Sequence, residues 1–118
     1  MKLRRSNIVL CKVPMPLEGV RKFKLRPGLI VSKDLNNKKL DDVIIAICTS
    51  NISRSQEPTQ YLIEGDEIVL AGIKVTSVVK CESLFTINKL MILNVLGVLS
   101  MNGVCKVNEC LKNALELK

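Results

Sequence analysis

The chain has 118 residues, 47% of them hydrophobic and 25% charged, which suits one globular domain over residues 1–118 and disfavours a disordered chain. Its formal charge of +7 is uneven: residues 1–39 hold eleven Lys/Arg and two acids, whereas residues 40–118 hold seven Lys/Arg and nine acids. A basic half suits a polyanion, while the lack of any histidine or Cys-x-x-Cys spacing supports neither a zinc site nor a Cys–His nucleophile, and no cofactor is expected.

Met1-Lys2-Leu3-Arg4-Arg5 has the charge of a signal n-region, but Lys12 interrupts the following apolar run and Pro14 and Pro16 end it. That run, residues 8–13, predicts a first strand. The five cysteines (11, 48, 81, 105 and 110) are scattered through apolar segments and read as reduced thiols of a cytoplasmic protein. A basic loop follows over residues 17–24, then a second strand at 28–32 and a polar turn at 34–39. Residues 43–48 form an unbroken apolar run rich in β-branched side chains, the pattern of a strand buried on both faces. Residues 60–63 and 67–70 flank Gly65-Asp66 and read as a hairpin, and residues 76–81 as a further strand. Many short strands at close spacing indicate a small barrel rather than a parallel sheet. Residues 90–105 carry no charge, fall short of the ~20 residues a spanning helix needs, and are read as core. Val104, Val107, Leu111, Ala114 and Leu115 then recur at helical spacing, with Ser100 as N-cap, predicting a C-terminal helix that covers the barrel.

Two strand boundaries carry possible chemistry. Arg26 precedes Pro27, which biases it toward extended backbone, and its permanently charged guanidinium can grip a phosphate bidentately. Thr49 follows the buried run, so its hydroxyl emerges where that strand reaches the surface. Together the two groups could hold the non-bridging oxygens of a pentavalent phosphorus. Taken singly, such residues are more often structural. Phe23, Tyr61 and Phe85 are the only aromatic residues, which argues against an aromatic stacking platform for bases.

Lys24-Leu25-Arg26-Pro27-Gly28-Leu29-Ile30-Val31, Ile44-Ile45-Ala46-Ile47-Cys48-Thr49-Ser50-Asn51-Ile52, Pro58-Thr59, the stretch 77–87 and Leu96-Gly97-Val98-Leu99-Ser100 follow one another in a specific order and spacing. In this the chain resembles, over nearly its whole length, the MazF/PemK toxins of type II toxin–antitoxin systems. The resemblance implies a mainly β, SH3-like (MazF/CcdB/Kid-type) barrel with a C-terminal α-helix, a homodimer, and no membrane association. It implies sequence-specific, metal-independent cleavage of single-stranded RNA or mRNA, leaving 2′,3′-cyclic phosphate and 5′-OH ends. The family's catalytic pair carries over to Arg26 and Thr49. The basic loop, with Arg21, Lys22 and Lys24, corresponds to the family's RNA-contacting loop, and the partner implied is an antitoxin with an acidic, initially disordered tail. Ser50 lines the same expected groove; Asn51 either reads a base edge or caps its loop; Arg5, ahead of strand one, is a further RNA-binding candidate. The dimer interface is expected to be built from aliphatic strand residues and the segment around Leu84-Phe85.

Relatives commonly carry Gly-Asp just before the first strand, where this chain has Ser6-Asn7, and that glycine implies a backbone requirement. Some relatives use an acid or a histidine in proton transfer; this chain has no histidine and no acid that matches by position. Two rival readings remain at this level: a CcdB-like toxin that poisons gyrase by binding it, and a non-catalytic RNA-binding barrel.

Overall fold

The computed structural model describes residues 2–14 and 22–118, and most of the apolar runs lie in strands of a single sheet. In chain order these are β1 (Asn7–Pro14), β2 (Phe23–Ile30), β3 (Asp42–Thr49), β4 (Gln60–Ile63), β5 (Ser77–Asn88) and β6 (Ile92–Val98). Among the described residues these are joined by three helices, α1 (Asp34–Lys39) and α2 (Glu67–Ala71) between strands and α3 (Met101–Leu115) after the last, and by one 3-10 turn at Lys89–Met91. Neighbouring strands are all antiparallel, in the order β4-β5-β3-β2-β1-β6. None of the described helices is long and apolar enough to cross a membrane.

The period of two along the strands sorts their side chains into two cores. Ile8, Leu29, Ala46, Cys48, Val79 and Cys81 face one way and pack beneath Val107 and Cys110 of α3. Val9, Cys11, Val13, Ile30, Ile45 and Ile47 face the other way and join Ile87 and Ile92. Burying an Ile or Val fully is worth about 1.5–3 kcal/mol each, so β3, buried continuously over residues 45–48, is the stabilising centre. Only Ile44 departs from the expected two-faced burial, at 39% exposed. Helix α3 forms where its periodicity predicts, and Ser100 Oγ caps it by accepting from the Gly103 N–H at 3.0 Å.

Several boundaries differ from the sequence expectation. Residues 34–39 wind into a helix rather than a turn because Asn37, 2% exposed, donates through Nδ2 to the Ser32 carbonyl (2.9 Å) and to Asp34 Oδ1 (3.3 Å). Strand β2 begins at Phe23, so Lys24 lies in a strand paired with Val13 and not in a loop. Residues 67–71 form α2 instead of the second arm of a hairpin. Here Glu67 accepts from the Tyr61 hydroxyl (2.5 Å) and from Ser100 N (3.1 Å) and Oγ (2.6 Å), tying the segment to the start of α3. Gly72, at φ 72°, ends α2 in the left-handed region. Of residues 90–105, read as core, 92–98 form the edge strand β6, in which Leu93 is 47% exposed, and Leu90 in the preceding 3-10 turn is 91% exposed.

The ladder does not close between its end strands β4 and β6 among the described residues. Helix α2 occupies that seam. A Cβ on Gly97 would sit 2.2 Å from the Leu70 carbonyl oxygen, and one on Gly72 would sit 2.0 Å from that of Leu96. Two glycines thus let α2 and β6 approach backbone to backbone, giving a half-open version of the expected SH3-like barrel.

Candidate active site

The β2–β3 ladder pairs Ile30 with Ile45, Leu29 with Ala46, and Gly28 with Ile47. Continued by two residues, this register sets Arg26 opposite Thr49. The ladder stops short of them for local reasons. Pro27 has no N–H to donate, and along the other edge of β3 the partner strand β5 bulges, with Leu84 opposite Ala46 but Lys80 opposite Ile47. Beyond that point Arg26 pairs with Cys11 of β1, and Thr49 with Val78 of β5. The strands splay, and a cavity of about 370 Å3 opens between them. Its walls include Arg26, Pro27, Thr49, Ser50, Lys74 and Ser77.

The two central residues are fixed from behind. Thr49 Oγ1 accepts the Asn51 N–H at 3.2 Å, which leaves the hydroxyl proton available to a ligand. The Arg26 carbonyl accepts from the Cys11 thiol at 3.4 Å. Burial pushes the Cys11 thiol up to about 11 and that of Cys48, next to Thr49, up to about 12, so both remain protonated at neutral pH. Of the five cysteines, all unpaired, Cys105 alone is exposed. Ser77 Oγ donates to the Val75 carbonyl at 3.0 Å and so shapes the loop that carries Lys74. The cavity lining therefore brings two cations, Arg26 and Lys74, together with three hydroxyl residues, Thr49, Ser50 and Ser77, and no carboxylate among the described residues.

The segment after Thr49 is pinned to the sheet. Arg54 grips Glu57 with Nε and Nη2 at 2.6 and 2.7 Å and reaches Glu82 of β5 at 3.2 Å. Gln60 Nε2 donates to Glu82 at 2.9 Å, and Asn113 of α3 donates to the Pro58 carbonyl at 3.0 Å. The Arg54 guanidinium holds the Glu57 carboxyl below its ordinary value. For Glu82, partial burial opposes ionisation, but hydrogen bonds from Gln60, its own backbone N–H and Thr59, with the charge of Arg54, leave it below the ordinary value as well.

Arg26, Thr49 and Ser50 thus share one cavity, while the other candidates among the described residues do not line it. Asn51 caps its loop: its Oδ1 accepts from the Ser53 N–H at 3.2 Å. Lys22 and Lys24 are exposed beside the cleft strand without lining the cavity. Arg5 is a clamp within the fold, its Nε donating to the Val31 carbonyl (2.9 Å) and its Nη2 to Asn108 of α3 (2.7 Å). Arg21 lies outside the described residues. Sequence reasoning missed Lys74, a lone charge in the turn between α2 and β5, because only the pairing of β5 with β3 carries that turn to the cleft. Among the described residues no group of three or more His, Cys, Asp or Glu side chains is placed to hold a metal ion.

The chain is similar to known proteins in both sequence and fold. A curated relative, Endoribonuclease MazF of Staphylococcus saprophyticus, is 29% identical over 75 residues, which span 58% of this chain and 62% of that protein. An endoribonuclease in complex with its cognate antitoxin from a mycobacterial species superposes with a TM-score of 0.79 at 22% identity, covering 98% of this chain and 97% of that one. The MazE–MazF complex of Deinococcus radiodurans superposes with a TM-score of 0.76 at 14% identity, covering 100% and 99%. At these identities the two structures speak for the fold. The family described as PemK-like, MazF-like toxins of type II toxin–antitoxin systems matches residues 4–115, and the chain belongs to that family.

Proposed function

We propose that this chain is a toxin endoribonuclease that cuts single-stranded RNA or mRNA by phosphodiester transesterification. The observation that carries the reading is the single cleft into which the splayed ends of β2 and β3 deliver Arg26 and Thr49. The substrate's 2′-OH attacks the adjacent phosphorus; the 2′-O–P bond forms, the P–O5′ bond breaks, and the products end in a 2′,3′-cyclic phosphate and a 5′-OH. Arg26 stabilises the charge that builds on the phosphorane oxygens, and the Thr49 hydroxyl donates to one of them. Lys74 holds a neighbouring phosphate, and Ser50 contacts the nucleotide beside it. The chemistry needs no metal ion, because a guanidinium and a hydroxyl supply the electrostatic stabilisation. Lys22, Lys24 and Arg21 guide the RNA backbone toward the cleft, and RNA sequence selectivity belongs to the same groove.

The protein acts in the cytoplasm as a homodimer, and a cognate antitoxin with an acidic, disordered tail restrains it. The mycobacterial fold neighbour held by its cognate antitoxin supports that partner.

The test incubates purified protein with a long single-stranded RNA in EDTA, alongside Arg26→Ala and Thr49→Ala. Fragments with 5′-OH and cyclic-phosphate ends are expected from the unaltered chain. Loss of a preorganised charge-stabilising donor should slow cleavage by about 10²–10³-fold. Intact RNA together with gyrase-dependent DNA damage in cells, or RNA binding without cleavage, would overturn the reading.

A further inference from the structure

A second cavity, of about 660 Å3, lies at the opposite end of β3 from the cleft. The 3-10 turn follows β5 where Asp42 pairs with Asn88, and the Lys89 N–H donates to the Asp41 carbonyl at 2.9 Å, so Lys89 marks the Asp42 end of the strand. Thr49 marks the other end. Eight strand residues place the two sites about 24 Å apart at roughly 3.4 Å per step.

Four cations surround this cavity: Lys2, Arg4, Lys38 of α1 and Lys89. Asp34 is the one acid in its lining, and its Oδ1 already accepts from the Arg5 backbone N–H (2.6 Å) and from Asn37 Nδ2 (3.3 Å). The ion pairs among the described residues, Arg54 with Glu57 and Glu82 and Lys112 with Glu109, include none of the four cations. Holding four like charges around one concavity is unfavourable unless an anion answers them. Apolar surface adjoins the charge. Leu3 lines the cavity, and Leu35 and Leu40 on and beside α1 are 57% and 51% exposed. No aromatic side chain lines the cavity, so it lacks a face on which bases could stack.

We infer that this cavity is a docking site for a peptide that combines acidic with aliphatic side chains, distinct from the RNA cleft. The inference deepens the partner reading and rests on it. The acidic residues of such a peptide meet Lys2, Arg4, Lys38 and Lys89, while its aliphatic residues cover the exposed leucines. Because the site stands a strand's length from Arg26 and Thr49, the toxin can hold this segment while RNA occupies the cleft.

Calorimetric titration tests this with three probes: a short peptide alternating glutamate and leucine, an equally charged peptide with serine in place of leucine, and an oligouridylate. The glutamate–leucine peptide should bind the native chain. Its Kd should weaken about tenfold or more, the equivalent of 1.4 kcal/mol, in Lys38→Glu/Lys89→Glu and stay unchanged in Arg26→Ala. The milder Arg4→Gln/Lys38→Gln pair, checked for a native thermal transition, covers the case in which charge reversal disturbs folding. Equal affinity for native and charge-altered chains would overturn the inference. So would equal binding of the serine peptide, which would mark a simple anion site, or a selective loss of oligouridylate binding, which would mark an RNA surface. RNA cleavage is scored separately: an inactive native chain that still loses the peptide on charge reversal refutes the nuclease reading alone, whereas an active chain whose peptide binding ignores the reversal refutes only the docking site.

Discussion

Ser6 shows how a single backbone angle can be anticipated from a departure in sequence. Its φ of 83° lies in the left-handed region, where a glycine would be unstrained. The position is retained because both its backbone groups are in use: its N–H donates to the Ile30 carbonyl (3.0 Å), and its carbonyl accepts from Leu99 N–H (2.9 Å). Asn7 keeps the oxygen acceptor that an aspartate would offer, taking the Arg4 N–H at 2.8 Å. Ser6→Gly relieves about 1–2 kcal/mol of strain and adds about 0.4–1 kcal/mol of unfolded-chain entropy. A net gain of under about 1 kcal/mol in urea unfolding is expected, with RNA cleavage unchanged; a loss of stability would contradict it. Lys74 belongs to the same scale. Lys74→Met should raise KM for RNA several-fold while kcat changes little, and should reduce the slope of log affinity against log salt by about 0.7, the value for one phosphate contact on a single strand. An unchanged slope would remove Lys74 from the RNA interface. With no histidine in the chain, the cleavage rate should also lack an inflection near the ordinary imidazole value of about 6.5.

At the scale of elements, what the sequence made legible was whatever carried its own period. The β3 run and the α3 stripe each bury a face that their spacing defines, and both formed as expected. Helix α1 was misread because its cause is a single polar side chain, Asn37, that bonds back to Ser32 and Asp34 and carries no hydrophobic period, and α2 because its cause is tertiary, the backbone contact at Gly72 and Gly97. Arg26 and Thr49 could be found because each ends a recognisable strand feature, whereas Lys74 reaches the cleft only through the pairing of distant strands. The loop after Thr49 is likewise held by residues far apart in sequence, through Arg54, Gln60 and Glu82. Because the folded Glu82 carboxyl is held below its ordinary value, its ionised form stabilises the fold above the unfolded carboxylate range, and that contribution is lost as pH falls through the lower folded value. Glu82→Gln should therefore lower stability at pH 7 by about 1 kcal/mol and flatten the acid limb of the stability curve. An acid limb that keeps its native steepness in the variant would contradict this.

On the scale of the whole molecule, one of the exposed apolar patches lies along an edge of the sheet. Leu90, Leu93, Val98 and Met101, on and around β6, are 91%, 47%, 37% and 88% exposed, whereas Leu84 and Phe85 are half-buried against the two cores. Beside the expected segment around Leu84-Phe85, the β6 edge offers a second copy both unpaired backbone and exposed aliphatic side chains. Light scattering should return about twice the 13.1 kDa chain mass, and Leu93→Lys with Met101→Lys should return a single chain. A native monomer at micromolar concentration would rule the dimer out.

The seam between β4 and β6 has a consequence for motion. It is closed by van der Waals contact of α2 against β6 rather than by a ladder of hydrogen bonds, and Gly72 and Leu96, which meet there, also line the cleft that holds Arg26. One wall of the cleft is thus built on the β-core, and the other on the part of the barrel with the fewest bonds to break. Local opening of the fold is expected first at that second wall. If Arg26 and Thr49 cleave RNA as proposed, the width of strand admitted depends on how closely Gly72 and Gly97 let α2 and β6 approach.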